Sequence, residues 1–158
     1  MHEESKRFVE RIDNQILFSE IEKMLAEGRQ ASFTVMGNSM YPFLVSGRDS
    51  VIVEDIGTGK LRVGDILLFK PLPNRYMLHR VTQLAEDGFE TTGDRNSFRD
   101  GLFPYERIVG RVSVIIRKNK TIPCSNPWYR FLSGLWSLLF PFRENLIRAW
   151  GIIRRWKR

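Results

Sequence analysis

ASFTVM (31–36), SVIVEDI (50–56), DILLFK (65–70), RYMLHRVTQL (75–84), GFETT (88–92) and RIVGRVSVIIR (107–117) are the six segments on which the fold turns. Each is short and rich in β-branched or aromatic residues, the composition that suits a pleated, half-buried surface. Gly, Pro, Asn and Asp interrupt them at SGRD (46–49), GTGK (57–60), VGD (63–65), PLPN (71–74) and EDG (86–88), which is turn chemistry. The expected fold class is therefore mainly β, a core of about six strands spaced at turn intervals.

Outward from that core the texture changes on both sides. From Ser5 to Ala26 the apolar residues Phe8, Val9, Ile12, Ile16, Leu17, Ile21, Met24 and Leu25 recur at three-and-four spacing, which predicts an amphipathic helix closed by Gly28. Pro123, Asn126 and Pro127 end the strand pattern, and two short amphipathic helices are expected after them, Trp128–Phe140 and Arg143–Trp156, with Pro141 forcing the break. Three units result: an N-terminal helix over 1–30, a β-rich domain over 31–122 and a helical tail over 123–158.

Charge divides along the same line. The 158 residues carry a net +7, yet residues 111–158 hold 11 Lys and Arg against the lone Glu144, while the rest of the chain is slightly acidic. In the tail these cations alternate with Trp128, Phe131, Trp136, Phe140, Trp150 and Trp156, a mixture that suits an anionic membrane surface and makes nucleic acid an unlikely partner. The charged N-terminus has no secretory h-region, and no run of about 18 apolar residues occurs, so the chain is expected not to span a membrane by itself. Counting positive charge favours the cytoplasmic face for the tail and for a peripheral association, with the side of the membrane left open.

One cysteine, Cys124, cannot form an internal disulfide, and His2 and His79 are too few for a Cys/His zinc cage. No cofactor and no metal are expected, which leaves chemistry to side chains. In VMGNSMYPFL (35–44), small residues precede Ser39 at a strand end, leaving its hydroxyl accessible and turning successive N–H groups into one space, as an oxyanion hole requires. Alone, Ser39 reads as an ordinary turn serine. His79 lies in an alternating strand and by itself reads as structural, but any Ser/His chemistry must use it. Asp94 and Asp100 lie in the polar segment TTGDRNSFRD (91–100), whose plain reading is a solvated turn; the segment lacks the full calcium-loop pattern.

Taken in order, VMGNSMYPFL, LRVGDILLFK (61–70), LHRV (78–81) and TTGDRNSFRD resemble the boxes of the signal peptidase I superfamily of serine peptidases, over about Ser32 to Val114. They are most similar to the endoplasmic-reticulum and archaeal branch, whose base is histidine where bacterial leader peptidases use lysine. The resemblance implies a β-rich peptidase fold, Ser39 as nucleophile, His79 as general base and an aspartate as its partner. That branch carries G-D-N-N-x-x-x-D, and Asp94 and Asp100 stand six apart as its two acids do. Asp100 is the favoured partner, with Asp94 closing the loop by hydrogen bonds to its backbone. The chain has Gly37 where the family commonly has a serine, so the expected oxyanion donors are the backbone N–H groups of Ser39 and Asn38. G-x-S-M is also similar to the self-cleaving SOS repressors of the same superfamily.

A serine endopeptidase removing a signal or leader segment from a precursor protein or peptide is the expected activity. The runners-up are a repressor-type autoprotease and a catalytically inactive peptide-binding module. The first is disfavoured because the 30 residues before the strands are too few for a helix-turn-helix domain and no Ala-Gly or Cys-Gly precedes Ser39. Substrate is expected as an extended strand on a sheet edge, with SVIVEDI and DILLFK as candidate walls. Expected partners are that precursor and an anionic membrane surface; a membrane partner protein that supplies an anchor stays open.

Overall fold

The computed structural model describes residues 15–57 and 60–156, with side chains as far as residue 149. Phe8, Val9 and Ile12 of the first amphipathic stripe, and the side chains of Trp150 and Ile153, lie outside the described residues. The first helix, α1 (residues 15–26), buries Ile21 and Leu25 against the sheet and stacks Phe18 on Tyr76, ring centroids 4.9 Å apart. It ends at Gly28, whose N–H donates to the Leu25 carbonyl while that of Arg29 reaches the Met24 carbonyl, the paired closure of a Schellman cap.

The protein is mainly β, an eight-stranded antiparallel sheet. Its strands are β1 (Ala31–Thr34), β2 (Asp49–Glu54), β3 (Ile66–Leu72), β4 (Arg75–Leu84), β5 (Phe89–Thr92), β6 (Leu102–Phe103), β7 (Ile108–Arg117) and β8 (Lys120–Pro123). Their spatial order is β1-β2-β7-β3-β4-β5-β6, with β8 pairing β7. The six expected segments all form strands. The two additional ones are short: β6 has only two residues, and β8 falls where Pro123 breaks the apolar pattern. Proline is tolerated there because β8 pairs on one side only, and the hairpin closes through Lys118 and Asn119, both with positive φ as a tight two-residue turn requires.

Side-chain alternation splits the core between the two sheet faces. Central β3 is buried on both, Ile66 and Leu68 entering the larger cluster with Ile21, Leu44, Val51 and Ile115, while Leu67 and Phe69 pack with Val81 and Phe89 on the other side. Each such fully buried side chain contributes about 1.5–3 kcal/mol relative to exposure. SVIVEDI and DILLFK thus serve as core strands, and no residue of β2 or β3 lines the cleft described below.

The tail forms α2 (Pro127–Leu138), a short 3-10 turn over Phe140–Phe142 and α3 (Arg143–Trp156). Asn126 caps α2, its side-chain oxygen accepting from the N–H groups of Trp128 and Tyr129. Pro141 has no N–H to continue α2, which stops two residues before the expected Phe140. Helix α2 shows two faces. Trp128, Phe131, Leu135 and Leu138 are exposed, whereas Tyr129, Ser133 and Trp136 turn towards the sheet. Trp136, which the spacing groups with the exposed stripe, belongs to the inner face because its indole finds a backbone acceptor there. Arg143 is likewise buried, not part of the surface charge. No helix among the described residues is long and apolar enough to cross a membrane.

Candidate active site

Ser39 sits in the connection from β1 to β2, and buried groups hold that connection down. Met40 and Leu44 enter the core, and Asp49, at the start of β2, accepts from the Val45 N–H and from the guanidinium groups of Arg48 and Arg117. Arg117 also donates to the Phe43 carbonyl at 2.5 Å. Burial alone would raise the Asp49 carboxyl, but these donors outweigh it and hold it down at about 2. Gly37 has φ +86, a left-handed backbone that side chains disfavour, and its N–H donates to Ser46 Oγ. Ser39 follows, half-buried, on the wall of a cleft of about 430 Å³. Among the described residues, the N–H groups of Asn38 and Ser39 donate to no protein acceptor.

His79 lies on β4, opposite Leu67 of β3, and its ring opens into the same cleft. Nδ1 donates to Asp100 Oδ2 at 2.5 Å, and the Thr91 hydroxyl donates to that oxygen at 2.8 Å. Both partners are nearly enclosed, with side-chain exposures of 6% and 8%. With the proton on Nδ1, the lone pair sits on Nε2. The structure thus brings Ser39, His79 and Asp100 to one cleft, from three separate connections and strands.

Gly93 explains how the backbone of the 93–100 segment fits beside them. A Cβ at this position would lie 2.7 Å from the Ser39 carbonyl oxygen, 3.0 Å from His79 Nε2 and 2.8 Å from Asn96 Nδ2. Only glycine leaves that space open. The segment is tied to the serine directly, since the Arg95 N–H donates to the Ser39 carbonyl at 2.8 Å, and it returns to the sheet where the Asp100 N–H bonds the Thr91 carbonyl. Met36, Tyr76, Met77, Leu78 and Phe98 give the cleft its apolar walls.

Asp94 occupies a different environment from the expected one. Instead of bonding its loop backbone, its carboxylate accepts both prongs of the Arg80 guanidinium, at 2.8 and 2.7 Å, with both side chains 1% exposed. The neighbouring charge draws the acid away from the backbone: Arg80 follows His79 on β4 and must point to the opposite face, where burial requires a partner. Tyr129 of α2 adds a contact to Arg80, and burial pushes its phenol up to about 12. Cys124 is also pushed up by burial, to about 11, which keeps it a thiol at neutral pH. No three potential metal ligands converge among the described residues.

Thr91, Gly93 and Arg80 are the neighbours that reading the sequence did not single out. The TTG preceding Asp94 was a signal for the first two, because a β-branched pair running into glycine marks a strand end with a close approach. Arg80 carried no local signal. No protein-family model matches the chain, and comparison with curated proteins finds no match either.

Proposed function

We propose that the protein is a serine endopeptidase, similar to the signal peptidase I superfamily, that removes a signal or leader segment from a precursor protein or peptide. The observation that carries this reading is the His79 Nδ1–Asp100 Oδ2 hydrogen bond, which leaves Nε2 as the free base in the cleft that Ser39 lines. A serine hydroxyl is a poor nucleophile until such an imidazole takes its proton.

In the proposed reaction, His79 Nε2 accepts the Ser39 proton as Oγ attacks the scissile carbonyl. The amides of Ser39 and Asn38 stabilise the oxyanion. Collapse of the tetrahedral species breaks the C–N bond, and the imidazolium gives its proton to the leaving amine. Water then hydrolyses the ester with the same base. Asp100 stays ionised throughout, fixing the tautomer and offsetting the imidazolium charge, with Thr91 fixing Asp100 in turn. Substrate binding as an added strand is supported by β4: its pairing with β5 starts only at Arg80, opposite the last β5 residue Thr92, so residues 75–79 leave one edge unpaired beside the cleft.

The same reading places the enzyme peripherally on an anionic membrane, cytoplasmic face favoured, through the exposed apolar side of α2 and the basic C-terminal residues. The deciding experiment offers signal-bearing and leader-bearing precursors, in lipid, to wild-type protein and Ser39→Ala, with products read by mass spectrometry. Cleavage by the wild type alone is the expected result; equal products from both would refute the assignment.

A further inference from the structure

The tail helices reach the proposed site from behind. Trp136 Nε1 of α2 donates to the Asp94 carbonyl at 2.8 Å, and that carbonyl belongs to the same peptide group as the Arg95 N–H, which donates to the Ser39 carbonyl at 2.8 Å. One planar unit is therefore held at its oxygen by the tail and at its nitrogen by the nucleophile's own residue. Such linked hydrogen bonds polarise and orient one another. The preceding carbonyl, that of Gly93, is also within reach of the tail, 3.4 Å from Arg143 Nη1. Further along, the Ser97 hydroxyl donates to Glu144 of α3 at 2.6 Å.

Arg143 is the unusual member. Only 1% exposed, it pairs with no carboxylate among the described residues, and its hydrogen bonds go to the carbonyls of Trp136 and Gly93. Its guanidinium lies 5.8 Å from the centroid of the Trp136 ring and 5.0 Å from that of Phe140. Burying a cation without an acid is costly, and its position is governed by two aromatic faces and the backbone of the Gly93 turn.

We infer that Trp136 and Arg143 are positioning residues for the reaction proposed above, on which this inference rests. They touch neither substrate nor reacting atoms. They fix the 93–95 backbone against Ser39 and His79, so that the tail is an integral brace of the site. Displacing reacting groups by about 1 Å costs on the order of a hundredfold in rate, which sets the scale of the effect.

Trp136→Phe keeps an aromatic ring but removes the indole N–H donor with part of the ring system, and Arg143→Met keeps an unbranched apolar stem while removing the guanidinium and its charge. Both are made in the full chain and compared for kcat, KM, thermal unfolding and amide hydrogen exchange. The expected result is a roughly ten- to hundredfold lower kcat at unchanged KM and near-normal melting. The Arg95 amide should exchange faster while the β3 and β7 amides keep their protection, and Arg143→Lys should recover part of the rate. Wild-type kcat in both variants, a loss confined to KM, or melting lowered in step with activity would overturn the inference. If wild-type protein and Ser39→Ala prove equally inactive, the peptidase reading fails. The exchange measurement then decides the brace separately: faster Arg95 exchange in either variant supports it, and unchanged exchange in both removes it.

Discussion

Arg80 and Asp94 face each other through two parallel hydrogen bonds, in a place where neither has access to water. Such a pair adds little relative to an apolar replacement, but removing one partner strands a buried charge, a loss of about 3–5 kcal/mol. Asp94→Asn should therefore lower the denaturation midpoint strongly and lower turnover with it. The paired change Arg80→Met with Asp94→Leu should be much less destabilising than Asp94→Asn. Urea unfolding of the two variants checks both statements, and a paired variant as unstable as the single one would count against them.

Asp100→Asn is expected to behave in the opposite sense. The amide can still accept from Thr91 but cannot stabilise an imidazolium, so turnover should fall by much more than stability. Ser39→Ala and His79→Ala should each remove about three orders of magnitude or more, and combining them should add little, because nucleophile and base act as one unit. Near-normal rates in His79→Ala would end the dyad assignment.

Asp49 supplies a pH dependence of stability. Its carboxyl titrates at about 2 in the folded protein against an ordinary 3.8, so its stabilising contribution is present in full above the unfolded value and disappears as pH falls through the folded one. The shift corresponds to about 2 kcal/mol. Asp49→Asn should be less stable at pH 7 and should show a flatter loss of stability between pH 4 and about pH 2. Denaturation midpoints across that range measure the difference, and parallel curves for the two proteins would contradict it.

Vesicle binding tests the outer face of the tail. Trp128 and Phe131 stack with centroids 5.6 Å apart and are 67% and 59% exposed, and residues 144–158 carry five cations against Glu144 once the buried Arg143 is left out. At about 1 kcal/mol per basic residue near an anionic surface, the full chain should sediment with phosphatidylserine vesicles and partly release in high salt. Phe131→Asp with Leu135→Asp should abolish sedimentation without disturbing the inward-facing Trp136. Equal binding by that variant would rule out an apolar contribution.

Cys124 should resist alkylation at neutral pH, because burial favours its neutral thiol. Mass spectrometry after iodoacetamide, with and without denaturant, reads this directly. Rapid labelling of the folded protein would contradict its placement.

Strands were legible because their signal is local: alternation and turn residues mark β2, β4 and β7 without reference to anything else. Ser39, His79 and Asp100 could be singled out because each stands in a short box whose order is distinctive. What the sequence concealed depends on pairing across distance. Arg80 meets Asp94 fourteen residues away only after β4 and β5 align, and Trp136 meets the Asp94 carbonyl only once α2 is docked. The helical period marked Trp136 as apolar correctly, but an indole also carries a donor, and periodicity says nothing about where that donor is satisfied. Strand β8 was missed because four residues ending in proline fall below what alternation can register.

The position of β7 between β2 and β3 has a consequence for the order of events during synthesis. The hairpin leading into and out of the Ser39 connection ends with β2, and His79 arrives on β4, yet the ladder that joins these halves is the last long strand to be made. Contacts between residues so far apart form slowly relative to local ones. Until residues 108–117 are added, the strands flanking the Ser39 connection and the strand that carries His79 have no ladder between them. For the proposed peptidase, the cleft shared by Ser39 and His79 is thus completed only after β7 has been made.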